Sequence, residues 1–129
     1  MLLVLDSTVL IDYLRGKPAV DRVRAARTRG DVPATTAVNV EEIVGGLRGA
    51  ETAAAQGLCR GLVILPIDEG AAWQAGTWRR TFAGRGVRLH QADCLIAAAS
   101  LQHRAVLCTG NPQDFPVPDL TVEHWPVGH

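Results

Sequence analysis

The chain alternates short continuous apolar runs with longer stretches of helical spacing. Residues 2–5 (LLVL), 62–67 (LVILPI), 105–109 (AVLCT) and 120–123 (LTVE) read as strands, with a shorter candidate around Val32. Helical spacing covers 8–15, 18–29, 37–48, 50–61, 69–83 and 91–103. Strands that run apolar without alternation, separated by helices, predict a parallel sheet covered on both faces. Ligands in such folds bind beyond the carboxyl ends of the strands. Residues at the strand ends are therefore the first to weigh for function.

The first strand ends on Asp6, and the hydroxyls Ser7 and Thr8 follow. Helix capping would account for a carboxylate there, at about 1 kcal/mol, but either hydroxyl serves as well. Glu42 stands in AVNVEEIVGGLRG. Val40, Ile43, Val44 and Leu47 share one helical face and are expected in the core. Glu42 falls on the other side, beside Val38, Gly45, Gly46 and Gly49, whereas Glu41 points to solvent. Each interior glycine costs a helix about 1 kcal/mol, which fits a face that something approaches closely. A solvated Glu near a fraying helix end fits the same residues.

Asp93 lies in LHQADCLIAAAS, a helix with little polar surface. Its place in the first turn suits the helix dipole. A carboxylate on an otherwise apolar helix must still be paired or bind a cation, and no Lys or Arg lies within one turn. Asp114 follows the fourth strand in LCTGNPQDF, where Gly and Asn-Pro favour a turn. Alone it would read as a solvated loop acid.

Composition narrows the classes. At 129 residues and 47% hydrophobic, the chain has apolar surface enough for the core of a single domain, expected to span 1–129. Lys+Arg and Asp+Glu are 13 each, so no diffuse field marks a general nucleic-acid binder. Lys17 is the sole lysine; a local Arg patch is the better fork for phosphate oxygens. Cys59, Cys94 and Cys108 show no C-x-x-C spacing, which fits a reducing compartment. No apolar run approaches the roughly 18 residues of a membrane span, and the run at 2–5 is too short for a signal sequence. A soluble, cytoplasmic protein is expected. There is no G-x-x-x-x-G-K-[ST], and the four histidines lack metal spacing. Trp73, Trp78 and Phe82 share one helix, where core or a dimer face is a plainer reading than base stacking.

LDSTVLIDYLRG, AVNVEEIVGGLRG, HQADCLIAAAS and LCTGNPQDF, in that order and spacing, resemble the PIN-domain family and within it the VapC-type ribonuclease toxins. The resemblance runs from one end of the chain to the other. It implies a three-layer α/β/α fold with a twisted, mainly parallel central sheet. It also implies a carboxylate cluster, Asp6, Glu42, Asp93 and Asp114, holding Mg²⁺ or Mn²⁺ for hydrolysis of RNA phosphodiester bonds. Ser7, Thr8, Thr109 and Asn111 would orient the site, and Asn111 competes with Asp114 for the fourth place. The family usually writes Asp-Thr-Ser where this chain has Asp6-Ser7-Thr8, a swap that keeps both hydroxyls. Arg15, Arg48, Arg85 and Arg88 are the expected phosphate contacts. A cognate VapB-like antitoxin and a homodimer are implied as partners; the Ala- and Gly-rich helices of 37–61, with Ala54 at the contact, are the expected dimer face.

Two other classes fit part of the chain. A PIN-like module that binds RNA or protein without cleaving it would keep the fold and show no metal-dependent activity. A haloacid-dehalogenase-like phosphatase also ends its first strand on Asp, but its D-x-D-x-[TV] requires a second Asp where Thr8 stands.

Overall fold

In the computed structural model, which describes residues 1–128, five strands form one sheet. They are β1 (Leu2–Leu5), β2 (Val32–Thr36), β3 (Val63–Leu65), β4 (Val106–Thr109) and β5 (Thr121–His124). Every pair is parallel, in the spatial order β3-β2-β1-β4-β5. The helices are α1 (Ser7–Leu14), α2 (Ala19–Thr28), α3 (Ala37–Gly45), α4 (Thr52–Arg60), α5 (Glu69–Ala83) and α6 (Gln91–Gln102). No helix of the described residues is long and apolar enough to cross a membrane.

Side chains alternate across β1, as the period of two requires. Leu3 and Leu5 meet Val9 and Leu10 of α1, Val23 and Ala26 of α2 and Leu58 of α4 on one face. Val4 meets the other, where Ala71, Ala75 and Trp78 of α5 pack with Ile96, Ala97 and Ala98 of α6. These two apolar layers enclose the sheet as the unalternated strand runs required.

Strand order places the site. From β1 the chain winds outward through β2 to β3, then crosses to the opposite side of β1 to lay down β4 and β5. Between β1 and β4 the winding reverses, and in such sheets ligands bind beyond the strands' carboxyl ends at that point. Asp6 follows the last residue of β1, and its N–H donates to the Cys108 carbonyl of β4 at 2.9 Å.

The helix at 37–48 departs from expectation. It ends at Gly45, and its buried residues are Asn39 and Ile43. Val44, expected in the core, is 56% exposed. The helix turns its Asn39–Ile43 stripe inward, so Val40, Val44 and Leu47 instead line an open groove with Ala55 and Cys59 of α4. The aromatic trio on α5 also divides: Trp78 is buried, whereas Trp73 is 71% exposed.

Candidate functional site

Asp6 occupies the N-cap position of α1, yet its side chain caps nothing. That removes the plainest reason for a carboxylate there. The side chain is only 6% exposed and accepts three side-chain hydrogen bonds. Asn39 Nδ2 donates to Oδ1 at 3.2 Å. Thr109 Oγ1 and Thr8 Oγ1 donate to Oδ2 at 2.7 and 3.3 Å. Each hydroxyl is aimed by a backbone N–H that it accepts: Asn111 N to Thr109 at 3.0 Å, and Gly110 N to Thr8 at 3.0 Å. An ionised carboxylate only accepts, so both hydroxyl protons point at it.

Asn39, absent from the expected site, orders the other half. Thr36 caps α3, and its Oγ1 donates to Asn39 Oδ1 at 2.7 Å. The amide oxygen is thereby occupied, which turns Nδ2 towards Asp6 and towards Ser7 Oγ, 2.9 Å away. Ser7 accepts there and donates its own proton to Glu42 Oε1 at 2.7 Å. A cap at the start of α3 thus orients two acids. The Thr-x-x-Asn spacing in TTAVN resembles a capping box and is the signal by which Asn39 was findable.

Asp93 sits in the first turn of α6 and in none of the ion pairs found among the described residues. Burial first, then the charges of Asp114, Asp6 and Glu42, push its carboxyl up to about 6; His90 offsets part of this. All four predicted acids therefore share one electrostatic neighbourhood. Asp114, in the 3-10 turn Pro112–Asp114, bears on Asp93 more strongly than Asp6 does. Among the described residues, no three Asp, Glu, His or Cys side chains already converge closely enough to cage an ion.

The donor set suits a hard cation nonetheless. Its oxygens are carboxylate, and Asp6 retains acceptor capacity because a carboxylate offers about four lone-pair sites. Like charges without a cation raise a pKa, as at Asp93. The expected Arg contacts form two groups. Arg15 and Arg48 line one cleft of about 140 Å³ with Ile43 and Glu51. Arg85 lies over the Phe82 ring, 5.5 Å from its centre, and Arg88 lines a separate hollow with Arg79 and Val87.

Comparison with known proteins places the fold in a known family. The PIN domain family model matches residues 3–117. Ribonuclease VapC10 of Mycobacterium tuberculosis is 32% identical over 127 residues, spanning 98% of this chain and 87% of that protein. Ribonuclease VapC19 of the same organism is 30% identical over 119 residues, 91% of this chain and 95% of that protein. Among solved structures, DNA-bound VapBC from Salmonella typhimurium matches with a TM-score of 0.82 at 25% identity, covering 97% of this chain and 99% of that one. VapBC2 from Rickettsia felis, bound to a promoter DNA fragment, shares the fold with a TM-score of 0.85 at 18% identity, over 97% and 99%.

Proposed function

The chain belongs to the PIN-domain family, in the subgroup of its VapC relatives, and from that premise we propose that it is a metal-dependent endoribonuclease, the toxin of a toxin–antitoxin pair. The observation that carries this reading is the set of acids at the carboxyl ends of β1 and β4. There Asp6 is held by three donors, and Asp93 stands among further acids with its carboxyl raised to about 6. Asp6, Glu42, Asp93 and Asp114 would hold Mg²⁺ or Mn²⁺. Bound there, the ion would neutralise charge on a scissile phosphate and acidify a water. Thr109, Thr8 and Asn39 keep Asp6 oriented, and Ser7 keeps Glu42 oriented. Arg15 and Arg48, on one side of the fold, and Arg85 and Arg88, on another, would bind flanking RNA phosphates.

Partners follow from the exposed faces. The groove between α3 and α4, about 420 Å³ and lined by Val40, Val44, Leu47, Ala55 and Cys59, suits the apolar face of an antitoxin segment. We place a second copy of the chain on α5 rather than on 37–61. Glu69, Ala72, Trp73, Gly76, Thr77 and Arg80 share its outer face. An antiparallel pair about a two-fold axis would set Glu69 opposite Arg80 and Trp73 opposite Gly76, large against small. Glu69→Arg or Arg80→Glu alone should shift the sedimentation profile towards monomer, and both together should restore the dimer. A cytoplasmic location completes the reading.

Cleavage of total RNA and tRNA by the purified protein tests the activity, with Mg²⁺, Mn²⁺ or chelator, beside Asp6→Asn and Asp93→Asn. Discrete metal-dependent fragments, lost in both variants, are expected. A silent wild type, freed of any co-purified antitoxin, would favour the binding module.

A further inference from the structure

The segment after β5 is tied to the rest of the fold at several points. Trp125 N–H extends the β4–β5 ladder to the Thr109 carbonyl at 2.8 Å, and its ring is buried against the α1–α2 layer. The Arg22 guanidinium of α2 donates to the Pro126 carbonyl. Gly128 N–H donates to Asp12 Oδ1 at 2.8 Å. Asp12 is a buried carboxylate in α1, and its other oxygen accepts Ala19 N–H at the start of α2, 2.9 Å away. The anchor is therefore the packed corner between two helices.

Between the Pro126 and Gly128 ties lies Val127. Both of its methyls stand 3.1 Å from where a Cβ on Gly110 would be, and Thr8 Oγ1 stands 3.3 Å from the same point. Gly110 has an ordinary negative φ, so the close approach of Val127 and Thr8, and not backbone conformation, calls for glycine. Gly110 N–H aims the Thr8 hydroxyl, and Thr109, one residue earlier, makes the shortest hydrogen bond to Asp6. Val127 cannot lift from this turn without breaking the tie on either side of it.

We propose that residues 125–128 are a strap that positions the Asp6 carboxylate, with Val127 and Asp12 as positioning residues acting through Gly110, Thr8 and Thr109. The inference rests on the reading of Asp6 as a metal ligand. Packing on the outer face of the 109–111 turn limits how far the Thr109 and Thr8 hydroxyls can drift from Asp6. Outer residues that orient a ligand are commonly worth 10–100-fold in metal affinity, and a contact one step further out should be worth less.

The test is a Mn²⁺ titration of the intact protein, with amide hydrogen exchange and the Asp6 carboxyl ¹³C shift read in metal-free protein. Val127→Ala should weaken Mn²⁺ binding by about three- to tenfold, a step below the outer-residue range. Gly110 exchange should quicken and the Asp6 shift should move, while the Leu107 amide in β4 stays protected. Gly110→Ala should also weaken binding by collision with Val127, and the double variant should recover much of it, since the added methyl enters space that the two Val127 methyls have left. Unchanged affinity, Gly110 exchange and Asp6 shift in Val127→Ala would overturn the strap. So would exchange that rises equally at Leu107, which would mark general loosening. Failure of the metal reading looks different: wild type binds no Mn²⁺, or Asp6→Asn binds as tightly as wild type. The metal-free Asp6 shift and Gly110 exchange would then decide the strap alone.

Discussion

Helix α1 carries a buried aspartate near each end, and the two are satisfied in different currencies. Asp12 accepts two backbone N–H groups, from Ala19 and Gly128, so it holds chain segments together. Asp6 accepts side-chain donors only, from Asn39, Thr8 and Thr109, and it stands close enough to Asp93 to raise that group's pKa. Backbone donors make an aspartate into a brace. Side-chain donors set around a carboxylate at a strand end hold it in place beside the other acids instead. Burial alone does not separate the two, since Asp6 and Asp12 are 6% and 4% exposed.

Substitution should pull these roles apart. Asp6→Ala should lower metal-dependent cleavage by more than the roughly 100-fold upper range for an outer residue, with only a small fall in the urea midpoint, because relief of the repulsion with Asp93 offsets the donors left unpaired. Asp12→Ala should act mainly on stability, and lower metal-dependent cleavage only by the roughly three- to tenfold expected of a loosened strap. It leaves two N–H groups without their acceptor and should cost about 3 kcal/mol of unfolding free energy. Equal loss of stability in the two variants, read from urea denaturation, would erase the distinction.

Thr109→Val keeps the shape of the residue and removes the shortest donor to Asp6. Mn²⁺ affinity should fall by about 10–100-fold, and the loss should appear in KM for metal more than in the rate at saturating metal. An unchanged titration would mean that Asn39 and Thr8 orient Asp6 without help.

The mildest effect is one of pH. The raised Asp93 carboxyl means that the metal-free folded chain holds a proton that the unfolded chain has lost, between the ordinary value of 3.8 and about 6. Stability should therefore fall as pH rises through that window and stay lowered above it. Asp93→Asn should raise Tm over wild type at pH 7.5 in chelator, and the gain should vanish near pH 4. A gain of equal size at both pH values would point to packing instead of charge.

Local pattern carried much of this protein. Unalternated runs mark β1 and β4, and Asp6 is legible because a buried strand ends on it. Asp93 is legible because its helix offers no partner within a turn. Tertiary structure decided what touches them. Asp6 meets Asn39 across 33 residues and Thr109 across 103, and Asp12 meets Gly128 across 116. A side chain's hydrogen-bond partners depend on strand order and register, which periodicity does not encode. The face of α3 shows the same limit. Val40, Ile43, Val44 and Leu47 share a stripe by spacing, but which side of a short helix turns inward depends on the neighbours it packs against. Here an amide fixed by its own cap, Asn39, took the inner place beside Ile43. The sequence by itself determined the layers and the acids; tertiary packing decided which carboxylate braces the backbone and which is held by side chains beside other acids, because the donors that distinguish them come from distant parts of the chain.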